Sequence, residues 1–288
     1  MKRSLSIVMI LLIFCLAGCS DEQKEPPLIV FVVGDHEYSS EITMPRLAAE
    51  LEENYGFQTK VLNAHPDHNS EENIPGLEEL DNADLAIFFL RWRRLPEEQL
   101  DYIQSYLESK RPIMGFRTTT HAFNYADGHP LEKWNAFGEF AFNAPPGWEK
   151  KGHTHYGHES TTEVRIIQEN RNHPVLEGIS IDFSAKSWLY TLYPDYPSEG
   201  STPLLMGKAV NPDNIYAIDH PVAWVGKNSF GTNFFMTTLG HPEDFEEEDF
   251  QKLIVNAVHW LLSKEKVNFA GKADIAVPYD THPSSSMP

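Results

Sequence analysis

Leu28-Ile29-Val30-Phe31-Val32-Val33 is an unbroken apolar, β-branched run that stops at Gly34-Asp35, the pattern of a strand buried on both faces. Leu85 to Leu90 repeats it, Pro112 to Phe116 is a shorter version, and Phe57 to Leu62 reads as a further strand. Helical periods lie between them. One starts at about Met44, with Thr43 as cap, Pro45 in the first turn, Leu47, Leu51 and Tyr55 on one face, and Gly56 as its stop. Another covers Pro96 to Ser109, with Glu97 and Glu98 in its first turn and Leu100, Ile103 and Leu107 inward. Strand and helix alternating at short spacing predict an α/β fold: an open, mostly parallel sheet with helices on both faces.

From Asn124 to Gly207 the periodicity weakens and aromatic residues, prolines and histidines accumulate; only Glu163 to Gln168 reads as a strand, the rest as loops. Pro221 to Val225 and Thr232 to Thr238 then predict two strands joined as a hairpin. In the last helix, about Glu247 to Leu262, Phe250, Leu253, Ile254, Ala257, Val258 and Leu261 repeat at helical spacing, and the acidic run Glu246 to Asp249 suits its N-terminus.

The ends read differently. Met1 to Gly18 has a basic start (Lys2, Arg3), an apolar run from Ile7 to Ala17 and the small-residue sequence Leu16-Ala17-Gly18 before Cys19, the layout of an exported bacterial lipoprotein's signal peptide. The run is about half of the roughly 20 residues a bilayer crossing needs. Cys19 is the predicted lipidation site, residues 19–27 a tether, 28–265 the folded domain and 266–288 a C-terminal tail. The body is thus expected in the cell envelope, held to a membrane through its lipid alone; Ser20, standing where an aspartate would signal inner-membrane retention, favours the outer membrane. Both cysteines of the chain, Cys15 and Cys19, lie in this leader, which excludes cysteine nucleophiles and cysteine metal ligands from the body. With 42 acidic against 23 basic residues, a nucleic-acid partner is disfavoured, because phosphates need a basic face.

Ligands of an open parallel sheet sit beyond the carboxyl ends of its strands. After the first strand stand Asp35, His36, Glu37 and Tyr38; after the third, Arg91-Trp92-Arg93-Arg94; after the fourth, Arg117-Thr118-Thr119-Thr120-His121; after the late strand, Gly240-His241. Each alone reads equally well as a solvated loop residue, but four such turns together mark an edge where these folds place their sites. A second concentration, His153-Thr154-His155-Tyr156-Gly157-His158, offers two or three imidazoles to a transition-metal ion, the one cofactor the composition suggests. The other readings are a histidine-rich surface loop, or a loop that folds over the edge and adds acid/base groups to His36 and His121. Its spacing superficially matches the metallo-β-lactamase motif, but Gly157 replaces the aspartate of that motif and the helix order is wrong for that fold. The G-x-S-x-G, G-x-x-x-x-G-K-[ST] and G-x-G-x-x-G signatures are missing, so serine hydrolase, P-loop and dinucleotide readings lack their residues. Trp92, Trp134, Trp148, Trp188 and Trp224 could stack on sugar rings but read first as packing anchors.

RWRRLPEEQLDYIQSYLESKRPIMGFRTTTHAF (Arg91 to Phe123) and HPVAWVGKNSFGTNFFMTTLGH (His220 to His241) resemble the ThuA-like family, named for trehalose utilisation, and the resemblance extends over about Leu28 to Leu262. It implies a flavodoxin-like, class I glutamine amidotransferase-like fold and an association with sugar catabolism, including routes through 3-keto sugars. The positions that match family motifs are Gly34, His36, Glu37, Arg117, His121, His155, His158, Pro221, Trp224, Gly240 and His241. Glutamine amidotransferases carry a cysteine at the elbow after Gly115; Arg117-Thr118-Thr119-Thr120 stands there instead, so thiolate glutaminase chemistry is excluded, and a threonine nucleophile would need an adjacent base. The reading is therefore of a carbohydrate-processing lipoprotein, a hydrolase, lyase or isomerase, with His36, His121 and His155 as acid/base candidates and Arg93 and Arg117 as oxyanion partners. Glu37, Trp92 and His241 are the substrate contacts, and His153, His155 and His158 the metal candidates. The alternative is a lipoprotein that binds sugar without turning it over. Substrate identity and oligomeric state stay open.

Overall fold

The first apolar run forms β1 (Leu28–Gly34), buried at every position but Leu28. The structure is a computed structural model that describes residues 25–147, 153–264 and 267–279. The leader, Cys19, most of the tether, Trp148, the side chain of His153 and residues 280–288 lie outside the described residues. After β1 come α1 (Ser40–Tyr55), β2 (Gln58–Asn63), β3 (Leu85–Leu90), α2 (Glu97–Glu108) and β4 (Ile113–Phe116). Then follow α3 (Phe137–Phe142), β5 (His153–His155), β6 (Thr161–Ile166), β7 (Asp182–Ala185), β8 (Tyr190–Leu192), β9 (Ser201–Val210), β10 (His220–Lys227), β11 (Asn233–Thr237) and α4 (Glu248–Leu261).

Nine strands form one sheet in the order β2-β1-β3-β4-β11-β10-β9-β6-β7. Its first five strands are parallel, in the flavodoxin-type order, and the pairs from β11 to β7 are antiparallel, so the sheet is mixed. Both faces are covered. On β3, Phe88 meets Phe137 of α3 at 5.4 Å, while its neighbour Phe89, pointing to the opposite face, stacks on Phe116 at 5.7 Å. Phe116 continues to Phe245, which packs on Phe250 of α4. The parallel strands β3 and β4 are buried throughout, as continuous apolar runs require.

Three expectations need correction. Helix α1 begins at Ser40, four residues before the predicted start, with Pro45 inside it, because Tyr38, Ser40, Thr43 and Met44 are all buried and packing holds the extra turn. The middle third is not mostly loop: it supplies α3 and five strands, β5 to β9. β5, β7 and β8 are short, β6 is half-solvated with only alternate residues inward, and Pro203 and Gly207 break the sequence pattern of the continuous strand β9. Gly207 is demanded by packing, since a Cβ there would sit 2.5 Å from Val222 Cγ1. Finally, 267–279 is not a free tail: Ile275 and Ala276 are buried and the backbone is tied to α1 and α4. No helix among the described residues is long and apolar enough to cross a membrane.

Candidate functional site

The chain leaves β1, β3 and β4 through strained backbone. Ser39, Trp92 and Arg117 have φ of 51°, 55° and 39°, left-handed values that non-glycine residues adopt at a cost of about 1–3 kcal/mol. The topological switch point lies between β1 and β3, where the paths of the two neighbouring crossovers diverge. His36 and Glu37 follow β1 there; Arg91, Trp92 and Arg93 follow β3. Gly34 permits their approach, because a Cβ would come within 2.9 Å of Arg93 Cδ.

His36 is gripped between two cations: Arg91 Nη1 lies 2.6 Å from its Nε2 and Arg93 Nη2 lies 2.5 Å from its Nδ1. Guanidinium groups only donate, and a neutral imidazole has one acceptor nitrogen, so no single tautomer satisfies both contacts. Arg91 also pairs with Glu37 at 2.8 Å and lies 3.5 Å over the Trp92 ring. Arg93, fully buried, donates to the carbonyls of Arg91 and Ser70 besides His36, so it braces the loop around residue 70 and holds the imidazole.

Arg117 occupies the elbow after β4, the start of a one-turn 3-10 helix, Arg117–His121. It is fully buried, and its guanidinium is caged by the rings of Tyr38 at 4.2 Å, Tyr190 at 4.6 Å and Trp188 at 4.9 Å. It donates to Thr238 O at 2.9 Å and to the Tyr38 hydroxyl at 3.1 Å. Its Nε and the neighbouring Trp188 Nε1 are buried donors without a hydrogen-bond partner among the described residues. The threonines beside it work locally: Thr119 donates to Phe88 O, and the Thr120 hydroxyl stands 3.0 Å from His121 Nδ1. His121, buried, has its ring 6.3 Å from Trp92 and 6.1 Å from Tyr190.

The far wall is organised by Asp244. Its carboxylate accepts from the backbone N–H groups of Lys186, Ser187, Gly240 and His241 and from the Ser187 hydroxyl, tying the loop that carries Trp188 to the turn that carries His241. His241 lies 5.7 Å from Trp188. His155, on β5, lies 5.8 Å from the same indole; exposed His158 lies 4.9 Å from it and 4.4 Å from His155. Trp188 is thus the hub between the strand-end residues and the histidine loop. Among the described residues no three His, Cys, Asp or Glu side chains are grouped to hold a metal ion.

A family model described as ThuA, trehalose utilisation, matches residues 29–261. The chain belongs to the ThuA family. Two crystal structures of ThuA-like proteins share the fold. One, from Parabacteroides merdae ATCC 43184, has a TM-score of 0.62 at 16% identity, covering 88% of this chain and 98% of that one. The other, from Bacteroides uniformis ATCC 8492, has a TM-score of 0.57 at 19% identity, covering 86% and 97%. No functionally curated protein matches the chain.

In this ThuA-family chain His36, Glu37, Arg91, Trp92, Arg93, Arg117, His121, His155, His158 and His241 gather at one sheet edge. Four further residues share this edge. The sequence places Tyr38 just after the first strand and offers Trp188 as a stacking or packing ring, without a role at the site for either; Tyr190 and Tyr279 carry no signal in it. His36, His155 and His241 do not keep the ordinary histidine pKa near 6.5. Burial, with Arg91 and Arg93 beside it, pulls His36 down to about 3. Burial, with His158 and Arg117, pulls His155 down to about 4, and burial, partly opposed by Asp244, does the same to His241. Burial and Glu37 raise Asp35 to about 6.

These shifts set a pH dependence of stability. An unfolded imidazole takes its proton near pH 6.5, so between 6.5 and about 4 the unfolded chain binds more protons, and stability falls as pH falls through that window. Asp35 acts the other way. Its folded pKa is raised, so its contribution is full below 3.8 and is lost as pH rises through about 6. Three imidazoles outweigh one carboxyl, and Tm is expected to drop between pH 7 and pH 4.5. A Tm that holds steady or rises over that interval contradicts this balance.

Proposed function

We propose that this ThuA-family protein is a lipid-anchored, carbohydrate-processing enzyme of the cell envelope, acting on trehalose or a related keto sugar. The observation that carries the reading is a pair of buried donors with no hydrogen-bond partner among the described residues, Arg117 Nε and Trp188 Nε1, set among imidazoles and aromatic rings at the strand-end edge. Buried donors left unpaired are costly, and an oxygen acquiring negative charge is the acceptor that suits them. His121 is the base this geometry favours: it is buried at the other end of the 3-10 segment that Arg117 begins, and the Thr120 hydroxyl, 3.0 Å from its Nδ1, orients the imidazole. Abstraction of a proton next to a ketone sends the electron pair onto the carbonyl oxygen, where Arg117 stabilises it. His36 and His155, neutral at pH 7, serve better as hydrogen-bond partners than as acids, while Glu37, Trp92 and His241 contact the ring.

The second reading is a sugar-binding lipoprotein without turnover, which imidazoles held neutral would also suit. Purified body lacking residues 1–19 is incubated with disaccharides and their 3-keto forms. The enzyme reading expects a product by chromatography, the binding reading heat on titration without product, and neither heat nor product rejects both.

A metal-assisted form would place a transition-metal ion on His155 and His158 with His153. Two adjacent imidazoles fall short of the three protein ligands of a catalytic zinc centre, and the His153 side chain is outside the described residues. We expect chelator to leave turnover unchanged and elemental analysis of untagged protein to find metal far below one ion per chain. About one zinc or iron per chain, lost together with activity, would replace acid/base chemistry with metal-assisted chemistry.

The anchor rests on Cys19. Cys19→Ser is expected to move the protein from the membrane fraction to the soluble fraction and to abolish lipid labelling; an unlabelled wild type that stays with membranes would refute lipidation. Apart from the anchor, the expected partner is a small carbohydrate, and the acidic charge argues against nucleic acid.

A further inference from the structure

Residues 267–279 follow the last helix and lie beyond the segment that matches the family, yet they return to the functional edge. The path is fastened at each stage. Ala270 N donates to the Tyr55 hydroxyl. Ala273 and the Gln251 side-chain amide exchange two hydrogen bonds of 2.8 Å, a small-amide match to a peptide group. Ile275 and Ala276 are buried, and Arg46 donates to Ala276 O at 2.8 Å. Tyr279 N donates to Glu243 Oε1, in the turn directly after His241. Anchors from α1, from α4 and from the turn at residue 243 therefore fix the course of the segment.

Its last described residue, Tyr279, lies on the site. The Tyr279 ring is 4.5 Å from His241, stacked at 6.3 Å on Tyr38 and edge-on at 6.0 Å to Trp188. Tyr38 and Trp188 are two of the three rings around Arg117, and both are buried. Tyr279 is only partly buried, so it presents ring surface outward where Tyr38 and Trp188 do not. A flat, partly exposed ring beside buried rings and an imidazole is the surface on which the C–H face of a pyranose packs, and its own apolar area supplies the contact.

We propose that residues 267–279 form a strap that completes the ligand site, with Tyr279 as a specificity-determining wall that covers His241 and packs on the bound sugar ring. The sugar half of this rests on the function proposed above; the wall half does not. The wall lies outside the family-matched residues 29–261, so a ligand preference set by it would not be a property of the family-matched region.

The experiment has two arms on the body lacking residues 1–19. In the first, carbethoxylation of His241 by diethyl pyrocarbonate is followed by mass spectrometry in wild type, Tyr279→Ala and Tyr279→Phe. Loss of the ring should speed His241 modification about tenfold, and Tyr279→Phe should restore most of the protection, because ring cover and not the hydroxyl blocks the reagent. In the second, trehalose and its 3-keto form are the probes. Tyr279→Ala should raise KM, or Kd by titration, about tenfold while leaving kcat within about threefold, the mark of a contact made equally in ground and transition states. Equal His241 reactivity in wild type and Tyr279→Ala overturns the wall. Unchanged KM or Kd with lost protection overturns the sugar contact. If wild type neither binds nor converts either probe, the proposed function has failed, and the His241 protection alone then decides whether the strap walls the site.

Discussion

Val30→Asp is expected to leave the body unfolded at 25 °C. Val30 is completely buried in β1, whose partners on both sides are parallel strands, Lys60 of β2 and Ala86 of β3 being its register neighbours. A carboxylate there has no water, and nothing within the strand can pair with it. The cost is several kcal/mol, against a total stability of roughly 5–15 kcal/mol for a domain. Protonating the new carboxyl lowers the charge penalty but leaves an unsatisfied polar group among packed apolar neighbours, so acid does not rescue the fold. Circular dichroism and a denaturant titration read the outcome. A soluble variant with a cooperative transition would mean that β1 is not an interior strand buried on both faces.

The same strand shows why half of the fold is legible in sequence. A strand buried on both faces must be apolar at every position, and β1 and β3 announce themselves by that run alone. The carboxyl ends of β1, β3, β4 and β11 then mark the candidate site, and His36, Arg91, Trp92, Arg117, His121 and His241 stand just beyond them, as the strand pattern implies. The antiparallel half is written in a weaker code. In β6 the inward residues are Thr162, Val164 and Ile166, and two of the outward ones are charged, Glu163 and Arg165. That alternation is short enough to pass for loop, and β8, with three residues, has almost none. Trp188 and Tyr190 sit just before and on β8, so missing that strand hides Tyr190 and leaves Trp188 as a ring without a place, although both cage Arg117. The strap hides Tyr279 for another reason: a segment fastened through backbone groups and one glutamine amide carries no hydrophobic period at all. What organises the basin is likewise long-range. Asp244 joins residues nearly sixty positions apart, a relation that no local pattern contains.

Arg117 is where stability and function should separate most sharply. Its guanidinium is charged at any accessible pH, fully buried, and stabilised by two hydrogen bonds and three aromatic faces with no carboxylate in ion-pair contact among the described residues. Its backbone is also in the left-handed region, a strain kept at a position where a glycine would be free of it. Arg117→Met replaces the side chain by one that is unbranched and apolar. The variant loses the bonds to Thr238 O and Tyr38 and the ring contacts, and it is relieved of a desolvated charge; these opposing effects are of similar size, and the net change is expected within about 2 kcal/mol. Turnover has no such compensation. On the proposed function, which sets this cation under a developing oxyanion, kcat/KM of Arg117→Met on a keto-sugar probe should fall by about two to three orders of magnitude. Arg117→Lys keeps the charge but not the planar fork that bonds Thr238 and Tyr38 together, so it should recover only part of the loss. Urea titration and steady-state kinetics on the same preparations separate the two axes. If Arg117→Met melts like wild type and turns over substrate within about threefold, the caged guanidinium is packing and the oxyanion assignment fails; if stability and turnover collapse together while Arg117→Lys restores both, the residue builds the basin without acting in its chemistry.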